Sequence, residues 1–147
     1  MGPILAVKLF YKRAFDVTGR SRRSEYIFVS FFQLAVGISL CLLAFTIGQS
    51  GIYRNGSFNM FGMIVASVYG LFVIVNVIPW MTLSIRRFHD MGYTGWIVAL
   101  FIGLYFIPFV GTLGAIIQFL WLFFGSGTAG NNAHGPDPRF QYRYAFE

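Results

Sequence analysis

The stretch WIVALFIGLYFIPFVGTLGAIIQFLWLFF, residues 96–124, contains no charged side chain. As one straight helix at about 1.5 Å per residue it would run about 43 Å, well past a hydrocarbon core of about 30 Å. Ile107-Pro108-Phe109-Val110-Gly111 lies near its middle and Gly114 follows. Proline and glycine there admit two arrangements, a tilted span kinked at Pro108 or two short helices folded into a hairpin. Neither half could cross alone, so the hairpin is re-entrant and sheltered by other helices. The kinked span sends the carboxyl tail to the opposite side of the membrane, whereas the hairpin brings it back. We adopt the hairpin, which requires Gly92 and Asp137 at one membrane face and Pro108 buried near mid-depth.

Two further stretches, Ile27–Ile47 and Met60–Ile85, are equally free of charge and long enough to span a bilayer. With 56% hydrophobic and only 11% charged residues, the composition excludes a soluble globule. The chain therefore reads as an all-α integral membrane protein with three apolar segments, the third broken into a helical hairpin, giving three to four helices. A short interfacial helix precedes them. Three regions follow: a basic cytoplasmic leader over 1–26, a transmembrane helical domain over 27–124 and a Gly/Pro-rich carboxyl tail over 125–147. Residues 1–26 lack the apolar core of a cleavable signal, so the first span is expected to stay, and Ala6 stands where a myristoylation signal needs Ser or Thr. Cys41, the one cysteine, excludes an intrachain disulfide and is expected to be a small buried hydrophobe.

Lys8, Lys12, Arg13, Arg20, Arg22 and Arg23 crowd the leader, only Arg54 lies between the first two spans, and Arg86 and Arg87 follow the second. By the positive-inside rule the leader and the second connection face the cytoplasm. Gly48–Asn59, rich in Gly, Ser and Asn, then reads as an outward-facing turn. In the leader, Ile4, Val7, Tyr11 and Phe15 recur at helical spacing beside Lys8 and Lys12, the pattern of a helix lying in the headgroup layer. Thr18-Gly19 breaks it, Ser21 is placed to cap the first span, and Glu25 suits that helix's positive end. In the second span Pro79 frees a carbonyl one turn back, and Asn76 is expected to bond to a neighbouring helix.

The polar segments carry a resemblance. Gly19-Arg20-Ser21-Arg22-Arg23-Ser24-Glu25-Tyr26, Arg86-Arg87-Phe88-His89-Asp90-Met91-Gly92-Tyr93-Thr94-Gly95-Trp96 and Gly127-Thr128-Ala129-Gly130-Asn131-Asn132-Ala133-His134-Gly135-Pro136-Asp137-Pro138 resemble, in order and spacing, three signatures of a bacterial family known as domain of unknown function 805. Ala133-His134 departs from the pattern, which has a basic or polar residue and then an aromatic, and Ile97 replaces a second tryptophan. The resemblance implies a small, multi-pass bacterial inner-membrane protein and brings no established activity.

Among these segments Arg20, Arg23, Glu25, Arg86, Arg87, His89, Asp90, Asn131 and Asp137 are the candidate anionic-ligand or motif residues. Arginine forks onto phosphate or carboxylate, and a carboxylate beside His89 can fix its tautomer. The plainer alternative is that Arg86 and Arg87 set topology while Asp90 pairs with one of them. No residue is assigned a catalytic role, because no nucleophile stands out for His89 and Asp90. The tail's glycines lack the Lys-Ser/Thr ending of a phosphate-binding loop. No cofactor is expected. A metal held by His89, Asp90, His134 and Asp137 would need the tail at the cytoplasmic face and lacks a spacing motif.

Three function classes remain in order. The first is a non-enzymatic accessory or envelope factor, and the second a binder or transporter of an anionic lipid headgroup or solute through Arg86 and Arg87. The third is a membrane enzyme using His89 and Asp90. Expected partners are anionic membrane lipids and a second copy or larger membrane complex. The net charge of +6 is accounted for by topology and does not call for nucleic acid.

Overall fold

The computed structural model describes residues 2–55 and 59–141, with side chains described for 2–49 and 59–139. The side chain of Arg54, and Arg143 and Glu147 in the tail, lie outside the described residues. The chain is all-helical: α1 Pro3–Lys12, α2 Arg23–Asn55, α3 Met60–Asp90, α4 Trp96–Tyr105, α5 Val110–Phe124 and the single turn α6 Pro138–Gln141. Arg23–Gln49 and Met60–Asp90 are long and apolar enough to cross a membrane. α2 extends to Asn55, so most of Gly48–Asn59 is helix rather than turn. A helix can keep its backbone bonds satisfied through glycines whose cost in water is about 1 kcal/mol each.

The described residues form two compact units, one from the chain up to Val29 together with Ile78 onward, the other from Ser30–Val77. In the second unit Gln33 donates to Asn76 Oδ1 at 2.6 Å and Asn76 donates to the Phe72 carbonyl at 2.7 Å. Asn76 thus meets a neighbouring helix as its lone amide in an apolar run implied. Around that bond the surface is hydrocarbon, with Phe31, Leu34, Ile38, Leu42, Ile64, Leu71 and Ile74 all at least half exposed. Cys41 is exposed rather than buried, because an apolar membrane face accepts a thiol as readily as a core does.

The first unit contains the apolar core, where Ala6 and Phe10 of α1 pack with Tyr26, Val29, Leu83 and Phe88. Thr82 donates to the Ala14 carbonyl at 2.8 Å and fixes the leader to α3. α1 therefore has two apolar faces: one enters the core, and the other leaves Ile4 85% and Tyr11 40% exposed, with Phe15, in the turn that follows, also 82% exposed. An outward apolar face beside lysines is what an interfacial helix requires. Ser21 does not cap α2; its backbone N–H donates to the Arg86 carbonyl at 3.1 Å, and the helix begins at Arg23.

The third apolar stretch is a hairpin. α4 ends at Tyr105 and α5 begins at Val110, with the Tyr105 hydroxyl and Gln118 Oε1 joined at 2.5 Å across the pair. A Cβ on Gly111 would lie 2.8 Å from Tyr105 Cα and 2.9 Å from its carbonyl oxygen, so only glycine lets the helices approach this closely. Phe109 has φ 62 and ψ −49, while the Val110 N–H donates to the Pro108 carbonyl at 2.7 Å. This is a γ-turn of the rare positive-φ kind. Phe106 and Phe109 are over 80% exposed and Pro108 is exposed too, which corrects the expected burial of Pro108. The hairpin packs through its small-residue face, Gly111 and Gly114, and leaves its bulky turn outside.

Candidate functional site: a buried arginine–carboxylate knot

Helix α3 ends in Arg86-Arg87-Phe88-His89-Asp90, and the buried ion pairs of the site are built on it. Arg87 and Asp90 stand three residues apart on one helical face and form a salt bridge with the Arg87 side chain wholly buried. Asp90 also receives Arg20, whose Nε donates to Oδ1 at 3.1 Å, so one carboxylate serves two guanidiniums. Arg86 and Glu25, both fully buried, face each other at 3.6 Å. A buried charge is tolerated only against an opposite one, since desolvation costs several kcal/mol per ion. The sequence meets that condition at every buried guanidinium here.

The arginines also complete the helix ends. The last four carbonyls of a helix have no partner within it. In α5, Arg87 Nε donates to the Leu122 carbonyl at 3.2 Å and Arg23 Nε to the Phe123 carbonyl at 2.9 Å, while Arg87 Nη2 reaches the Gly125 carbonyl. In α3 the tail supplies the donors: Asn132 Nδ2 to the His89 carbonyl at 2.9 Å and the Thr128 N–H to the Asp90 carbonyl at 2.8 Å. Cations near a helix C-terminus are favoured by the aligned peptide dipoles as well.

Arg20 holds the tail in its bent form, donating to the Thr128 and Gly130 carbonyls at 2.6 Å each. Arg22 Nε donates to the Pro138 carbonyl at 2.6 Å. Asp137 accepts the Gly130 N–H at 3.0 Å and the Arg139 N–H at 2.9 Å, while Asn131 Oδ1 accepts the Asp137 N–H at 3.3 Å. The Arg139 side chain bonded to it, with these N–H donors, holds the Asp137 carboxyl well below the usual carboxylate range. In the leader, the Thr18 hydroxyl and then Arg13 bring Asp16 down to about 2.

Gly92 and Asp137 come to the same end of this unit, as the hairpin required, because the Thr128 N–H bonds to Asp90 and Asp137 bonds to Gly130. All nine candidate residues lie here. Arg20, Glu25, Arg86, Arg87, Asp90 and Asp137 are buried in the knot; Arg23 and Asn131 are on its rim. His89 presents Nδ1 to the Gly19 carbonyl at 3.2 Å and stacks flat on His134 with ring centroids 4.0 Å apart. His134 thus does the stacking for which an aromatic suffices. Among the described residues no group of three or more His, Cys, Asp or Glu is arranged to hold a metal. Face-to-face stacking does not point the two imidazoles at a common centre.

Arg22, Thr128, Asn132 and Arg139 were not singled out from the sequence, although each bonds within or beside the knot. The signal available was position: polar residues with a fixed place between helix ends have backbone carbonyls to satisfy. A cavity of about 380 Å³ opens beside the knot, with Arg22, Arg23, Ser24, Ser126 and Arg139 among its lining.

The chain is similar to two curated relatives from Escherichia coli strain K12. It is 32% identical to inner membrane protein YhaH over 123 residues, covering 84% of this chain and 87% of the relative. Identity to inner membrane protein YhaI is 28% over 124 residues, covering 84% and 86%. No solved structure matches the chain. The model of the family described as "Protein of unknown function (DUF805)" matches residues 14–136, a span that runs from the leader through both apolar helices and the hairpin to the docked tail, and the chain belongs to that family.

Proposed function

We propose that this chain is a multi-pass inner-membrane protein with a cytoplasmic amino terminus, acting as a non-enzymatic accessory component of a larger membrane assembly. The observation that carries this reading is the use made of its charged residues. Asp90 is shared between Arg20 and Arg87, and Arg87 also caps α5, so the groups a membrane enzyme or carrier would present are committed to holding leader, helix ends and tail together. His89 is likewise occupied by Gly19 and His134, which leaves acid–base catalysis with Asp90 little support. Full burial of Arg86 and Arg87 weakens the reading in which those two receive an anionic ligand.

An exposed hydrocarbon surface on both long helices supports a lateral neighbour, as does the modest area that so few helices bury among themselves. The relatives' names place those proteins in the inner membrane, and the basic leader orients this one by the positive-inside rule. Extraction of the full chain in mild detergent and mass measurement of the intact assembly tests the reading. A stoichiometric second membrane polypeptide is expected; a solitary chain carrying only lipid overturns it. Impermeant thiol labelling of cysteines introduced at Thr18 and Tyr93 should fail in intact cells.

A further inference from the structure

Among the described residues, guanidiniums outnumber carboxylates in the knot and around the cavity beside it. Five guanidiniums, those of Arg20, Arg22, Arg23, Arg87 and Arg139, surround two carboxylates, Asp90 and Asp137. Both carboxylates are already engaged, Asp90 by Arg20 and Arg87, Asp137 by Arg139 and two backbone N–H groups. Three of these guanidiniums, Arg22, Arg23 and Arg139, and both carboxylates line the cavity of about 380 Å³, a volume in the range of sites for small ligands.

Arg22, Arg23 and Arg139 line that cavity as anchored groups. Each uses its Nε on a fixed acceptor, respectively the Pro138 carbonyl, the Phe123 carbonyl and Asp137, which sets the plane of the guanidinium, and Arg139 also pairs its Nη2 with Asp137 at 2.8 Å, leaving Nη1 for a ligand. A guanidinium held this way loses little freedom when it forks onto phosphate. Ser24 and Ser126 add hydroxyl donors to the same wall.

Phe124, 61% exposed, lies beside the cavity-lining Arg23, whose guanidinium carbon is 6.0 Å from its ring centroid. From it Leu120, Ile117 and Leu113 follow at steps of four, three and four residues, each at least 45% exposed. That spacing draws one apolar track along α5, starting at the cationic cavity. A free phosphate would use the arginines alone, whereas a lipid uses both.

We propose that the cavity holds the headgroup phosphate of an anionic phospholipid, between Arg22, Arg23 and Arg139, with an acyl chain against the Leu113–Phe124 track of α5. The proposal rests on the membrane reading above only in setting this end of the molecule in the headgroup layer.

The test uses the full chain in phosphatidylcholine bilayer discs containing a tenth phosphatidylglycerol, extracted into mild detergent, with retained lipid counted by mass spectrometry. Phosphatidylglycerol should be retained over phosphatidylcholine. Arg23→Gln and Arg139→Gln should each lower that retention about tenfold, in keeping with the strength of one charge-assisted contact. Arg23→Lys should recover only part of it, because an ammonium keeps the charge without the fork. Lys8→Gln, outside the cavity, controls for diffuse charge, and unfolding midpoints confirm that each variant is folded. Equal retention in folded Arg23→Gln and Arg139→Gln overturns the proposal, as does a loss as large in Lys8→Gln. Bound inorganic phosphate that displaces phosphatidylglycerol from wild type also overturns it. Because disc retention needs neither a protein partner nor a known orientation, a solitary chain or outward labelling at Thr18 would defeat the accessory reading without touching this one.

Discussion

The two compact units solve the same problem with opposite means. In Ser30–Val77 the amide bond from Gln33 to Asn76 is a directional contact between long helices whose outer faces are hydrocarbon. In the other unit, buried guanidiniums tie together four segments far apart in sequence: leader, α3, α5 and tail. Apolar packing between membrane helices is nearly degenerate, because lipid tails are as apolar as leucine. Directional bonds are what select one arrangement. The difference assigns specificity of fold to the polar unit and leaves the apolar unit free to meet lipid or a neighbour.

The largest effect should come from removing the shared carboxylate. Asp90→Ala leaves Arg20 and Arg87 buried without their counter-charge, and loss of one partner of a buried pair costs about 3–5 kcal/mol. Limited proteolysis should then cut between Gly125 and Asp137, a segment that the bonds from Arg20 and to Asp90 should protect in the wild-type chain. A tail that stays protected would show that α5 capping alone docks it, and the polar unit would lose its claimed advantage.

A second, smaller break is at the hairpin. In Gly111→Ala the new methyl meets the backbone of Tyr105, which cannot turn aside as a side chain would. Overpacking of this kind costs about 1–3 kcal/mol. Separation of α4 from α5, read as loss of an introduced cysteine crosslink between Leu104 and Gly114, is the expected outcome. Phe109→Gly should act in the opposite sense. It removes a positive-φ side chain that costs about 1–2 kcal/mol, from a residue that is 87% exposed and packs little, so the unfolding midpoint should rise.

These sites also show what the sequence could reveal. The hairpin was legible because length and chemistry disagreed: Trp96–Phe124 is too long for one upright helix, and Pro108 and Gly111 sit at its midpoint. Convergence of the polar segments followed from that fold alone. What stayed hidden was the direction of each arginine. Arg86 and Arg87 are adjacent and chemically alike, yet one faces Glu25 and the other Asp90 and the end of α5. Arg22 and Arg139 looked like ordinary flanking charges, because their acceptors are backbone carbonyls or local groups that no residue pattern advertises. Lone amides behaved more predictably, as Asn76 shows, and the same logic applied to Gln33 and Gln118 would have found their partners.

In the apolar unit the corresponding break should be slight. Gln33→Leu removes the interhelical bond while Asn76 keeps the Phe72 carbonyl, and such bonds in membrane helices average about 0.6 kcal/mol. Unfolding in mixed detergent micelles should shift by little more than the measurement error. A loss approaching that of Asp90→Ala would erase the contrast between the units.

Acid provides the finest comparison. Residues 30–77 contain no carboxylate and no imidazole, so that unit has nothing to titrate below neutrality. The polar unit carries Asp16, brought down to about 2 by the Thr18 hydroxyl and Arg13, and Asp137, also lowered, chiefly by Arg139. A depressed folded pKa means that the stabilisation is complete above the unfolded value of 3.8 and fades as pH falls toward the folded one. Between pH 8 and 5 neither carboxylate should therefore alter its contribution. Below about 4 the leader turn and the tail should loosen together, by an amount kept small because the Asp16 side chain is 40% exposed and screened by water. Amide hydrogen exchange resolved by segment would follow this, with Thr18 and Gly130 gaining exchange beyond the intrinsic pH effect and α2 around Gln33 unchanged. Loosening of the leader and tail already at pH 6 would show that Asp16 and Asp137 do not set the sensitivity.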